Sequence, residues 1–185
     1  MADWNGSTAL VVVDVQRGME NEQHFGKRNN PGCEMHIGML LDAWRAQGWP
    51  IVFVQHDSTE PDSPLEPGTW GHHLKPVAGG ACDLLVNKSV HSAFYGKPDL
   101  HDWLQSHGIA GVAICGIQTN VCCETTARMA SDLGYDTLFV IDAMHTFDLR
   151  VADGSVISAD ELTRTTAAVL QDEFAQVVYT KDLVG

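Results

Sequence analysis

Six short apolar runs recur along the chain, and stretches with helical periodicity follow most of them. The first run, Thr8-Ala-Leu-Val-Val-Val-Asp14, is continuous rather than alternating, which is typical of a strand that is buried on both faces. The predicted strands cover residues 8–14, 50–55, 84–87, 111–116, 137–141 and 175–179. Strands that alternate with helices predict an α/β fold in which a parallel sheet carries helices on both faces.

The helical stretches are predicted at about residues 34–47, 100–107, 122–133 and 159–171. In the first of them, Ile37, Leu40, Leu41 and Trp44 share one face, and Gly48 provides a stop signal. The chain has 185 residues, which suits one α/β domain with a sizeable core. We see no repeat and no interdomain linker, and we therefore expect residues 1–185 to form a single domain.

Residues 56–80 form a long segment that is rich in proline and glycine. A segment of this length inside a compact domain is more often a functional loop than an accident. It follows a predicted strand, and open α/β sheets place their sites at the carboxyl ends of strands. We expect the segment to form one wall of a pocket, with Trp70 as an apolar contact.

Composition and charge restrict the classes of function and partner. The net charge of -13 disfavours nucleic-acid binding, which needs clustered Lys and Arg side chains. The N-terminus lacks the pattern of a secretory signal, and no apolar run approaches the length that spans a bilayer. Five cysteines, an odd number without zinc spacing, fit a reducing cytoplasm in which a thiol persists.

Cys122 is the candidate nucleophile. It follows the predicted strand 111–116 and lies near the start of a predicted helix, where free N–H groups and the helix dipole favour thiolate over thiol. The same N–H groups could hold the oxyanion that forms when a thiolate attacks an amide carbonyl. The plainer alternative is a small buried apolar residue, which describes most cysteines in α/β cores.

Asp14 and Lys88 each end another predicted strand. Taken alone, Asp14 is more often a capping residue and Lys88 a solvated one. Together with Cys122 they stand at the carboxyl ends of three parallel strands, which can meet in one crevice. A lysine beside a cysteine stabilises its thiolate, and an aspartate can take the thiol proton and return it to a leaving amine.

Three segments resemble the isochorismatase-like cysteine hydrolases, which include nicotinamidases and N-carbamoylsarcosine amidase. They are Val12-Val13-Asp14-Val15-Gln16, the segment from Asn87-Lys88-Ser89 to Phe94, and Gly116-Ile117-Gln118-Thr119-Asn120-Val121-Cys122. The last is the most specific. The tail from Ala127-Arg128 to Asp136, followed by Asp142-Ala143, is similar as well, so that the resemblance runs through most of the chain.

The resemblance implies a three-layer α/β/α, Rossmann-like fold around a six-stranded parallel sheet, with an Asp14, Lys88 and Cys122 triad. It further implies a cis peptide between Ile117 and Gln118, with the backbone N–H groups of Gln118 and Cys122 as the oxyanion hole. Members that act on the vinyl ether of isochorismate lack this cysteine. Its presence here therefore points to a small amide or ureide substrate, hydrolysed through a thioester.

Substrate binding and assembly are the other roles that we consider. Gln16, Trp70, Phe94 and Tyr95 are candidate substrate contacts, although Gln16 could instead hold the Asp14 loop. Phe94 and Tyr95 could instead cover a second subunit, because the family commonly forms homodimers or larger assemblies.

We expect neither a catalytic metal nor another cofactor. The resemblance to nicotinamidases implies metal ligands, an Asp and several His, in the loop after the second strand. Asp57 is present, but Thr59 stands where a histidine is expected, and His56, His72 and His73 do not complete a set. We therefore expect activity on an amide or ureide other than nicotinamide.

A second hypothesis is a non-catalytic small-molecule-binding or thiol redox protein that uses Cys122 and Cys123. The simpler interpretation of Cys123 is a buried packing residue. The presence of Asp14 and Lys88 argues against the redox hypothesis, because a redox switch needs neither.

Overall fold

The structure is a computed structural model that describes residues 6–184. Residues 1–5 and Gly185 lie outside the described part. The N-terminal segment in which we found no secretory signal falls mostly on residues 1–5. The strands are β1 Thr8–Val13, β2 Ile51–His56, β3 Leu84–Lys88, β4 Gly111–Ile117, β5 Asp136–His145, β6 Leu149–Arg150, β7 Val156–Ile157 and β8 Gln176–Val178. The α-helices are α1 Glu22–Phe25, α2 Cys33–Gln47, α3 Leu100–Ser106, α4 Glu124–Asp132 and α5 Ala159–Leu170.

Six of these strands form one sheet in the order β3-β2-β1-β4-β5-β8, and every neighbouring pair is parallel. The predicted α/β fold with a six-stranded parallel sheet is therefore confirmed. The remaining two strands, β6 and β7, pair with each other as a short antiparallel ribbon.

The continuous apolar sequence of β1 follows from the burial of both faces of the sheet. Leu10 and Val12 belong to a core cluster with α2, whereas Val11 and Val13 belong to a second cluster with α3, α4 and α5. The predicted face of α2 (Ile37, Leu40, Leu41 and Trp44) is buried against the first side. Because both sides are covered, each side chain of β1 has an apolar neighbour, and alternation with polar residues is absent.

The order of the strands reverses between β1 and β4. From β1 the chain moves outward through β2 to β3 on one side, and from β4 it moves outward through β5 to β8 on the other. In open parallel sheets a crevice forms at such a reversal, outside the carboxyl ends of the strands. Asp14 directly follows β1 at this point.

Gly116 allows β1 and β4 to approach closely at the same point. Its φ is +125°, a conformation that favours glycine, and a Cβ atom there would lie 2.1 Å from the carbonyl oxygen of Val13. The residue therefore permits the last pairing between the two strands, in which it lies opposite Val13.

The structure differs from the predictions mainly where local signals were weak. β5 continues to His145 rather than ending at residue 141, because it stays paired with β4 up to Ile117. Residues Thr119–Cys123 form a single π-helical turn before α4, so Cys122 precedes that α-helix instead of opening it. None of the helices formed by residues 6–184 combines the length and the apolar composition that a membrane span requires.

Candidate active site

Asp14, Lys88 and Cys122 meet beneath the crevice. The Nζ atom of Lys88 lies 2.7 Å from Oδ2 of Asp14 and 3.4 Å from Sγ of Cys122. The side chains of Asp14 and Lys88 are fully buried, and Cys122 is 7% exposed. The three residues come from the ends of three different strand segments, as the sequence predicted.

The charges of this cluster act in opposite directions on the Cys122 thiol. Burial raises its pKa well above the ordinary value; the Asp14 carboxylate raises it further, and the Lys88 ammonium lowers it without reversing the net shift. Burial also opposes the charge of Lys88, but Asp14 and Cys122 outweigh it, so the pKa of Lys88 is raised. The net upward shift of the Cys122 pKa is opposite to the shift that a helix N-terminus would produce.

The turn after β4 folds around the carbonyl group of Gln118. The peptide bond between Ile117 and Gln118 is cis, as the resemblance implies. The N–H groups of Val121 and Cys123 both donate to the Gln118 oxygen, each over 3.2 Å. Gln118 and Cys122 both line the cavity above the cluster, which is the location that an oxyanion hole requires.

A cavity of about 290 Å³ opens above Cys122. The loop after β2 contributes many of its side chains, in agreement with the prediction that this loop forms a wall. The turn before α1, α1 itself and the segment after β3 contribute others, which we did not predict. The lining residues are Asp14, Met19, His24, Phe25, His56, Ser58, Thr59, Glu60, Ser63, Leu65, Ser89, His91, Gln118, Val121 and Cys122.

Close backbone contact holds the loop after β2 against the segment that precedes α1. The N–H group of Gly18 donates to the carbonyl oxygen of Gly71 over 2.7 Å. A Cβ atom on Gly71 would lie 2.1 Å from the carbonyl oxygen of Pro64, so only glycine fits. Two cavity walls from distant parts of the sequence are thereby joined.

His56 is a site residue whose position the sequence analysis overlooked, because we considered it only as a metal ligand. Its Nδ1 atom lies 3.3 Å from Nζ of Lys88. The missing signal was the strand register: His56 pairs with Lys88 across β2 and β3, so the two residues end their strands side by side.

Gln16 holds the backbone and does not line the cavity. Its amide donates to the carbonyl oxygens of His56 and His72, over 3.0 and 2.9 Å, and accepts from the N–H of His56 over 2.9 Å. The side chain is fully buried. Of the two roles that we left open, the structure therefore favours holding the loop over binding substrate.

The three aromatic candidates also lie away from the cavity lining. Trp70 is 64% exposed and stacks with Arg17 beside a different depression. Phe94 is buried and stacks on Tyr135. Tyr95 is 70% exposed and lines an apolar depression next to the cavity. Their contact with substrate stays a prediction, and their positions outside the lining follow from long-range packing, which sequence proximity to Lys88 does not reveal.

Among the residues that the nicotinamidase resemblance suggests as metal ligands, Asp57 and His72 contact each other. Oδ1 of Asp57 lies 2.7 Å from Nε2 of His72 and accepts a hydrogen bond from the Asn87 amide over 3.0 Å. His73 is exposed, and Thr59 lies in the cavity wall. These residues form a structural pair instead of a set of converging ligands.

Within residues 6–184, one group of metal-ligating side chains does converge: Asp14, His56 and Cys122, whose ligand atoms lie within 4.8 Å of one another. Nζ of Lys88 lies 2.7, 3.3 and 3.4 Å from these three groups. The ammonium group thus occupies the centre of the cluster and would repel a divalent cation there. The residues present do not fit a metal ion.

Cys123 faces the core. It is fully buried in the same cluster as Ala127 and Phe139, and burial raises the pKa of its thiol well above the ordinary value. All five cysteines are free. This position matches the packing role that we preferred for Cys123.

Comparison with known proteins agrees with the fold. The isochorismatase domain family matches residues 8–181. The isochorismatase family protein YrdC of Bacillus subtilis is 33% identical over 96% of this chain and 94% of its own length. A streptothricin hydrolase of Streptomyces noursei is 33% identical over 89% of this chain and 66% of its own length.

A more distant relative is nicotinamidase 3 of Arabidopsis thaliana, 27% identical over 81% of this chain and 79% of its own length. Among solved structures, an isochorismatase family protein from Chromobacterium violaceum superimposes with a TM-score of 0.92 at 31% identity, over 100% of this chain and 95% of that one. The chain therefore belongs to the isochorismatase family of hydrolases.

Proposed function

We propose that the chain hydrolyses the C–N bond of a small amide or ureide, with Cys122 as nucleophile and a thioester as intermediate. The observation that carries the proposal is the buried Lys88 ammonium, which contacts both Asp14 and Cys122 directly below a cavity. A charged lysine and a carboxylate are costly to bury, and packing alone would not require them beside a thiol. Asp14 and Cys122 line the cavity and Lys88 contacts both of them, which supports a chemical role.

In the first half of the reaction, the Asp14 carboxylate accepts the proton of the Cys122 thiol as the sulfur attacks the substrate carbonyl carbon. A base is needed because the pKa of the thiol is raised. Lys88 stabilises the negative charge on sulfur, and the N–H groups of Gln118 and Cys122 receive the oxyanion. The C–N bond then breaks, and Asp14 returns the proton to the departing nitrogen.

In the second half, water attacks the thioester carbonyl. Asp14 takes one proton of that water, the C–S bond breaks, and the proton passes to the Cys122 sulfur. The acid product leaves, and the thiol and the carboxylate are restored. One water is consumed, and one ammonia or amine is released.

Cavity size and lining support a small, polar substrate. A volume of about 290 Å³ is at the lower end of the range for small-molecule sites. Hydroxyl and imidazole groups line much of it, together with Met19, Phe25 and Leu65. Two named relatives, a nicotinamidase and a streptothricin hydrolase, support hydrolysis of this general kind.

The first test is ammonia release from a panel of amides and ureides, compared between the unmodified protein and Cys122→Ala. We expect the substitution to lower kcat by roughly a thousandfold or more, because it removes the attacking atom. The melting temperature should change little. Intact mass after rapid quenching should show an acyl adduct on the unmodified protein and none on the variant.

Cys123→Ala is the matched control, since it removes a thiol from the adjacent position. We expect it to keep most of the activity while costing about 1 kcal/mol or more of stability, because Cys123 is fully buried. A Cys122→Ala variant that retains substantial turnover would refute the nucleophile assignment. A dead Cys123→Ala variant would mean that the other member of the pair attacks.

The redox hypothesis receives less support from the site. A vicinal redox pair needs two accessible, low-pKa thiols, whereas burial raises the pKa of both Cys122 and Cys123. A reversible disulfide between them, found by mass spectrometry without any acyl adduct, would favour that hypothesis instead. We further propose that the protein self-associates through the apolar depression that Val90, Tyr95 and Met129 line.

A further inference from the structure

His56 lies at the junction of the three strand ends that form the site. It is the last residue of β2 and the register partner of Lys88, the last residue of β3. Its half-buried ring lines the cavity together with Cys122 and Asp14. The mechanism proposed above does not use it.

Gln16 fixes the backbone of His56 from the side of β1. The Gln16 amide donates to the His56 carbonyl oxygen and accepts from the His56 N–H, over 3.0 and 2.9 Å. Gln16 is fully buried and stands two residues after Asp14. His56 is therefore held between the segment that carries Asp14 and the strand that carries Lys88.

The ring of His56 completes the hydrogen bonding of the Lys88 ammonium. A lysine has three N–H donors and no acceptor, so the His56 Nδ1 atom at 3.3 Å must accept. Oδ2 of Asp14 and Sγ of Cys122 take the other two donors. Three donors thus face three acceptors, and the orientation of the ammonium group is fixed.

We propose that His56 is a positioning residue that aims one N–H of Lys88 at the sulfur of Cys122. The neighbouring acceptors explain why a third partner matters. Lys88 donates to Oδ2 of Asp14, and the buried Oδ1 of the same carboxylate is a second acceptor to which the ammonium group does not donate. Without the His56 acceptor, Lys88 would turn toward that oxygen and away from the sulfur.

The charged and titratable groups around His56 are Lys88, Asp14, His91, Asp57 and Cys122. Burial and then the Lys88 charge lower the pKa of His56, which agrees with a ring nitrogen that accepts from the ammonium group.

The test uses iodoacetamide, whose reaction with Cys122 does not depend on knowing the substrate. Its rate is followed by peptide mass, with Cys122→Ala as the background for the other cysteines. His56→Leu removes the acceptor, whereas His56→Asn keeps an amide oxygen near the position of Nδ1. We expect alkylation at neutral pH to be about fivefold slower in His56→Leu, the effect of one hydrogen bond, and within about twofold of the unmodified protein in His56→Asn.

When a substrate has been identified, His56→Leu should lower kcat with little change in KM. His56→Asn should retain most of the kcat of the unmodified protein. Equal alkylation rates in the unmodified protein and His56→Leu would overturn the proposal. Equal losses in both variants would overturn it as well, because they would indicate a packing role.

Nitrogen-15 NMR of the unmodified protein tests the proposal without any substitution that could disturb folding. The signals of His56, assigned by their loss in His56→Asn, should show an unprotonated Nδ1 and a protonated Nε2 at neutral pH. The opposite tautomer would overturn the proposal. The inference rests on the proposed function, in which Cys122 is the nucleophile. The alkylation rate and the tautomer of His56 are measured without turnover. Failure to find a hydrolysed amide would therefore leave these two results interpretable.

Discussion

At the scale of single residues, the reactivity of Cys122 depends on two neighbours of opposite charge. Asp14 raises the pKa of the thiol and Lys88 lowers it, while burial raises it most. Thiolate formation and turnover therefore need not change together, because Asp14 opposes the resting thiolate and yet serves as the proposed base. Substitution at the two positions can separate these effects.

Lys88→Met should shift the midpoint of Cys122 alkylation to higher pH, because the variant loses the positive charge that lowers the thiol pKa. Asp14→Asn should shift it to lower pH, because the variant loses a negative charge. Hydrolysis should fall in both. The measurement is the iodoacetamide rate against pH; an unchanged midpoint in Lys88→Met would show that the lysine does not act on the sulfur.

The sequence predicted Asp14, Lys88 and Cys122 but not their fourth neighbour. The first three could be placed because each ends an apolar run or follows one, and parallel strands end at one edge of the sheet. His56 also ends a run, yet its contact with Lys88 depends on the register between β2 and β3. Register arises from packing across the whole sheet, and one sequence does not reveal it.

At the scale of elements, the loop after β2 forms a cavity wall without a set of converging metal ligands. Its Asp57 and His72 contact each other, and Asn87 on β3 donates to the same carboxylate. The ligand atoms that do converge surround the Lys88 ammonium. The loop thus shapes the cavity, and the contact between Asp57 and His72 supports its fold.

Activity should therefore survive dialysis against a strong chelator. A thiolate can attack an amide without a Lewis acid, and a single oxyanion-hole donor is worth roughly 3–4 kcal/mol. The measurement is the hydrolysis rate before and after dialysis, together with elemental analysis for zinc, iron and manganese. Loss of rate that returns with one added metal would contradict the prediction and would restore nicotinamidase-like chemistry.

Long periodic elements could be predicted, and short ones could not. The continuous apolar run of β1 and the single apolar face of α2 carry strong patterns because each is buried against a large partner. The four residues of α1 and the two-residue strands β6 and β7 carry no periodicity of their own. His24 and Phe25 therefore reached the cavity lining unpredicted.

At the scale of the whole molecule, one exposed apolar surface adjoins the candidate site. Val90 is 44% exposed and Tyr95 is 70% exposed, and both line a depression with Met129 of α4. Ser89 and His91 border this depression and the cavity alike. Adjoining exposed apolar side chains of this kind are typical of protein interfaces.

We expect this surface to be covered by a second copy of the chain, which would also enclose the rim of the cavity at Ser89 and His91. Light scattering after size exclusion should give a multiple of 20.1 kDa at micromolar concentration.

Tyr95→Glu should lower the measured mass, because a charge buried between two apolar surfaces lacks a partner. Tyr179→Glu places the same charge at another tyrosine, 51% exposed and outside the depression, and should leave the mass unchanged. A 20.1 kDa species for the unmodified protein would contradict self-association. A multiple that persists in Tyr95→Glu would place the interface on a different surface.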